Sequence, residues 1–85
     1  MKYRIAFARR FQKDYLKLPE EIQEKTDKQI RRLADGGFSY PSLRVKKIEG
    51  EEKVWEASIT MNYRMVFYHE EDIVTLLRIG IHDIL

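Results

Sequence analysis

The hydrophobic period changes twice along this chain, and those two changes restrict the fold more than any other feature. At the N-terminus Tyr3, Ile5 and Phe7 alternate with Lys2 and Arg4, which predicts a strand with one buried face. From residue 8 the spacing widens. Phe11, Tyr15 and Leu18 recur at helical intervals, and so do Ile22, Thr26, Ile30 and Leu33, so residues 8 to 35 predict two helices with one apolar stripe each. Pro19 separates them, and Glu20 and Glu21 behind it suit the positive end of the second helix. Asp35-Gly36-Gly37 stops that helix, because glycine accepts the left-handed conformation at a helix end. Strand-like runs then follow: Leu43 to Glu49, Lys53 to Thr60, Tyr63 to Tyr68 and Ile73 to Ile79. Ser39 to Ser42 reads as a loop. Gly50-Glu51-Glu52, Met61-Asn62 and the polar His69 to Asp72 read as turns, short enough to favour antiparallel neighbours.

The predicted fold is therefore α+β: an N-terminal strand, a helical hairpin, then an antiparallel meander, with the two helices packed on one sheet face. Residues 1–85 read as a single domain, since a chain of 85 residues has little surface to spare for a second core. Two helices cannot cover both faces of such a sheet, so the other face is expected to be at least partly open. Cysteine is absent, which excludes a disulfide framework, a thiolate zinc site and a thiol nucleophile. No apolar run approaches the roughly 20 residues of a membrane helix, and MKYRIAFARR is too charged for a signal peptide. The expectation is a cytoplasmic protein with no membrane partner. A net charge of +2 is too small by itself to argue nucleic-acid binding; the placement of the basic residues matters more.

Arg64 lies inside an apolar strand, on the side of Val66 and Tyr68 and opposite Met65 and Phe67. It reads either as the partner of Glu56 on the neighbouring strand or as a rigidly held guanidinium for phosphate. His82, near the C-terminus beside Asp83, reads either as a solvated terminal residue or as a proton-transfer group, since an imidazole titrates near neutrality. His69 sits in a charged stretch and reads as a surface residue. A metal site from His69 to Asp72 is disfavoured, because adjacent residues on a strand end point in opposite directions. Arg44, Lys46 and Lys47 cluster on one segment with Lys53 past its turn, and together with Arg64 they could track a phosphate backbone. Tyr63, Tyr68 and Tyr40 could stack on bases. Trp55 reads as core.

The order strand, helix, helix, meander, with Trp55-Glu56-Ala57, then Tyr63-Arg64-Met65-Val66-Phe67, then Leu77-Arg78-Ile79-Gly80-Ile81-His82-Asp83, resembles the RelE/ParE superfamily of bacterial and archaeal toxins. The similarity spans essentially the whole chain. It implies a ribosome-dependent mRNA endonuclease neutralised by a cognate antitoxin, with a heterotetramer as one form of the complex. It assigns Arg64 to the scissile phosphate and His82 to proton transfer, with Asp83 as a second candidate. Arg44, Lys46, Lys47, Lys53, Tyr63, Tyr68 and Arg78 become RNA-binding candidates. Cleavage by attack of a ribose 2′-OH needs no metal and no cofactor. Glu56 stands where many of these nucleases carry Lys or Arg, and the sequence ends at Leu85, short of an aromatic residue that many relatives carry past the histidine. Within the same superfamily the implied alternatives are a ParE-like inhibitor of DNA gyrase and a catalytically inactive antitoxin-binding member.

Overall fold

The computed structural model describes residues 2–82. The N-terminal strand β1 (Arg4–Phe7) leads into α1 (Arg9–Leu16) and α2 (Glu20–Gly36). Two single 3-10 turns, Gly37–Ser39 and Pro41–Leu43, connect to β2 (Lys46–Lys47), β3 (Val54–Ser58), β4 (Tyr63–Glu70) and β5 (Ile73–Ile81). The five strands form one sheet in the order β1-β5-β4-β3-β2. The pairs β2–β3, β3–β4 and β4–β5 are antiparallel, and β1 runs parallel to β5. The parallel pair follows from the hairpin: the helices carry the chain away before the meander returns, which is the long crossover a parallel neighbour requires.

Phe11 and Leu33 from the helices meet Leu43, Ala57, Met65, Phe67, Val74, Leu76 and Ile79 in a buried core. The apolar stripes of the helices cover one sheet face. Beyond β1 the edge of β5 is closed differently. Ala8 still donates its N–H to the Leu76 carbonyl at 2.9 Å. Asp14 of α1 then accepts from the Ile79 N–H at 3.2 Å and from Arg78 Nε at 2.7 Å. A helix carboxylate thus takes the place of a strand where β1 runs out. No helix among the described residues is long and apolar enough to cross a membrane.

Several local expectations are corrected. The strand expected over Leu43 to Glu49 shrinks to two residues. Leu43 ends a 3-10 turn with its side chain fully buried, and Arg44 takes a left-handed φ of 45°, so the chain is turned before pairing begins. The expected loop around Ser39 to Ser42 is two helical turns. His69 belongs to β4 rather than to a turn, and it is no ordinary surface residue. Its ring packs edge-on against Tyr3 and Phe38, with centroids at 5.2 and 5.1 Å. The turn is confined to residues 71 and 72, and Glu71 supplies its left-handed φ of 55°. Strand β5 continues past Ile79 to Ile81.

One irregularity decides which residues share a face. The β4–β5 register pairs Val66 with Arg78 but Phe67 with Leu76, so Leu77 is an extra residue in β5. A bulge of this kind reverses side-chain parity. Val74 and Leu76 are buried on one side of it and Ile79 on the other. Without the bulge, the parity that buries Val74 and Leu76 would carry positions 78, 80 and 82 to the core side. With it, they fall on the face of Arg64.

Candidate functional site

The face away from the core carries Glu56, Arg64, Val66, Tyr68, Arg78 and Gly80, by register. Arg64 stands opposite Ser58 on β3 and opposite Gly80 on β5. Its side chain is shielded, with 16% of its surface accessible. The NH1 group donates to the carbonyl oxygens of Thr60 and, at 3.1 Å, Tyr63, both at the β3–β4 turn. Its Nε lies 3.9 Å from Glu56 Oε1, an ion pair beyond hydrogen-bond reach. Fixed at one end by backbone carbonyls, this guanidinium needs little ordering to accept a ligand.

The same turn receives β5. The His82 N–H donates to the Asn62 carbonyl at 2.8 Å, which extends the ladder one step past Ile81. Arg64 and His82 therefore meet around residues 60–62, from adjacent strands, with His82 exposed. Gly80 adds no side chain between them. This end of the sheet combines a shielded guanidinium, an imidazole-bearing residue and the backbone carbonyls of the β3–β4 turn.

The other candidates divide. Lys46 is opposite Glu56 and exposed on the face of Arg64. Lys47 is opposite Trp55 on the other face, with its Nζ 6.0 Å from the indole centroid. Tyr63 also turns away from Arg64 and packs against the core. Arg44 lies outside the strands. Tyr68 donates to Glu70 at 3.3 Å, and Lys53 bonds Glu70 at 2.6 Å. That hydrogen bond raises the Lys53 pKa and lowers the Glu70 pKa. Lys53 and His69 stand seven residues along β4 from Asn62, so this pair lies roughly 24 Å from the turn. Arg78 is committed to Asp14. Asp83 lies outside the described residues. Trp55 packs against the core with Phe38 at 5.0 Å. Two contributors were invisible to residue-type reasoning: the backbone carbonyls of Thr60 and Asn62 carry no side-chain signature.

The profile of the ParE-like toxin domain matches residues 20–83, three quarters of the chain. The chain belongs to the ParE-like toxin domain family. No curated protein sequence matches the chain. Its fold is shared with solved RelE/ParE-superfamily toxins. The archaeal RelE–RelB complex from Pyrococcus horikoshii OT3 superposes with a TM-score of 0.79 at 18% identity, covering 95% of this chain and 96% of that one. The E. coli DinJ–YafQ toxin–antitoxin complex gives 0.82 at 14% identity, covering 100% and 98%. The RelB–RelE antitoxin–toxin complex from Methanococcus jannaschii gives 0.78 at 22% identity, covering 92% and 91%. The chain therefore shares its fold with these solved toxins over nearly its whole length, and the Arg64 face lies within residues 20–83 of the family match.

Proposed function

We propose that this chain is the toxin of a toxin–antitoxin pair and that it cleaves mRNA on the ribosome. The observation that carries this reading is the convergence of Arg64 and His82 on the turn at residues 60–62. Attack of a ribose 2′-OH on the adjacent phosphate places extra negative charge on the non-bridging oxygens. A prealigned guanidinium stabilises that charge without reorganising, which is the largest single contribution available to a metal-free site. Arg64 has this role. His82 donates a proton to the departing 5′-oxygen, a task suited to an imidazole at neutral pH. Lys46 on the same face adds attraction for the RNA backbone. Similar folds solved as toxin–antitoxin complexes support an antitoxin as the partner, with a segment of it neutralising the surface that Lys46 shares with Arg64.

Primer extension on a translated mRNA tests the reading: the purified chain is expected to produce new 5′ ends, and adding the antitoxin to abolish them. A wild-type protein that leaves the message intact overturns it. The ParE-like character of the matched profile favours one second reading, inhibition of DNA gyrase, which a supercoiling assay detects directly.

A further inference from the structure

A buried glutamine on α2 ends beside the strand segment that holds Arg64. The structure assigns Gln29 as the residue that positions the Arg64 guanidinium, acting through β3; the catalytic half of this assignment rests on the nuclease reading above.

The β2–β3 ladder stops short of this end of the sheet. Lys46 stands opposite Glu56, so a longer β2 would bring residue 44 opposite Ser58. Arg44 instead takes a left-handed φ of 45°, which carries the chain out of the ladder. The Ile59 N–H donates to the Tyr63 carbonyl at 2.9 Å, so Ile59 and Tyr63 form a hydrogen-bonded pair. Pairs alternate along an antiparallel ladder, which makes Ser58 and Arg64 a pair without mutual backbone bonds. The backbone groups of Ser58 therefore point away from β4, toward the edge that β2 leaves open. Ser58 is buried, and an unmet carbonyl there would be costly.

Gln29 fills that missing rung. Its Nε2 donates to the Ser58 carbonyl at 2.9 Å and to the Ser42 carbonyl at 3.2 Å. Its side chain is buried, and its Oε1 accepts from Arg32 NH1 at 3.0 Å. Two carbonyls at one end and a guanidinium at the other fix which way the amide faces, since a flip would oppose like groups at all three contacts. Arg32 NH1 also donates to Ser42 Oγ at 3.0 Å, which locks the amide from outside.

From Ser58 the constraint reaches the guanidinium along a short stretch of backbone. The Thr60 carbonyl accepts from Arg64 NH1. Thr60 is itself tied into the turn, because its Oγ1 accepts the N–H groups of Asn62 and Tyr63, each at 3.2 Å. The end of β3 and the turn are thus one bonded unit, and Gln29 ties that unit to α2. Without the tie the outer side of β3 can shift, and the Thr60 carbonyl shifts with it. A displacement of about 1 Å at a catalytic group can cost about 10²-fold in rate. On the other side of β4, Asp14 of α1 holds Ile79. Each helix therefore anchors one of the strands that flank Arg64.

Gln29→Met keeps the length of the side chain and removes its bonds to both carbonyls. Val74→Ala is the comparison: it lowers the melting temperature through a core defect opposite His69, at the far end of the sheet. Two readouts separate positioning from general loosening. The Arg64 Nε–H resonance, assigned by its loss in Arg64→Lys, reports the place of the guanidinium without any reaction. Single-turnover cleavage of ribosome-bound mRNA, with ribosome affinity measured separately, reports the chemistry. Gln29→Met is expected to shift the resonance, to speed its exchange with water, and to slow cleavage about 10- to 100-fold at unchanged ribosome affinity. Val74→Ala is expected to keep the wild-type resonance and cleavage rate. Arg32→Ala, which unlocks the amide from a half-buried position, should move the resonance in the same direction and decides the matter if Gln29→Met does not fold. A wild-type Arg64 resonance in these variants, or an equal loss of cleavage in Val74→Ala, overturns the assignment and leaves the nuclease reading intact. A wild type that cuts no message overturns the nuclease reading, while the resonance still decides whether Gln29 holds Arg64.

Discussion

Arg64 and Gly80 stand directly opposite each other across the β4–β5 ladder. On the β5 side, the residue beside the guanidinium therefore brings no side chain of its own. Gly80→Val places a branched side chain there. Valine is well suited to a strand, so the fold is expected to survive. RNA cleavage should fall at least about tenfold through loss of close approach to Arg64. Thermal melting with parallel cleavage rates checks this; a folded variant with full activity contradicts the role given to Gly80.

Asp14 closes the edge of β5, so its loss should be felt in stability. Burial alone would raise its pKa, but hydrogen bonds from Arg78 and the Ile79 amide outweigh that and hold the carboxyl below its ordinary range. The unfolded chain therefore binds this proton more tightly than the folded one. The stability Asp14 contributes is present above the unfolded pKa and is lost as pH falls through the folded one. Asp14→Asn is expected to cost about 1–3 kcal/mol at pH 7. It should also flatten the loss of melting temperature below about pH 4. Urea titration at pH 7 measures the first, and thermal melts from pH 7 downward measure the second.

Tyr15 donates its hydroxyl to Asp27 Oδ1 at 2.7 Å. That bond, then burial and the nearby negative charge, raise the phenol pKa from 10.0 to about 12. The contribution to stability is complete below the unfolded value and lost as pH rises through the folded one. A phenolate absorbance titration should show a late step near that pH, which Tyr15→Phe removes.

Gly37 has φ of +60°, and a Cβ built there would lie 2.4 Å from Tyr3 Cε2. Gly37→Ala combines positive-φ backbone strain of about 1–3 kcal/mol with displacement of Tyr3 from its contact with His69. A lowered melting temperature is expected, with further loss of His69 packing visible in its ring resonances.

Much of this molecule is legible in the order of its residues, for a physical reason. Phe11, Leu33, Met65 and Phe67 repeat at the period of their own element, so their burial follows from local pattern. The faces of β3 and β4 follow in the same way, including the nearness of Glu56 to Arg64. The bulge at Leu77 does not: aliphatic residues stand at both parities, Val74 and Leu76 at one and Ile73, Leu77, Ile79 and Ile81 at the other, so the pattern also fits an unbulged strand. Yet that residue carries position 82 to the face of Arg64. The bond from Arg78 to Asp14 joins residues 64 apart in sequence, where periodicity is silent. Lys46 and Lys47 look alike in sequence, but pairing with β3 sends them to opposite faces.

The central claim is that Arg64 and His82 act together on one scissile phosphate. Single-turnover cleavage of ribosome-bound mRNA by the wild type, Arg64→Ala, His82→Ala and the double variant tests it most directly. Each single variant should lose about 10²–10⁴-fold, and the double variant much less than the product of the two losses, as groups acting in one transition state do. Wild-type rates in either single variant, or fully multiplicative losses in the double, would contradict it.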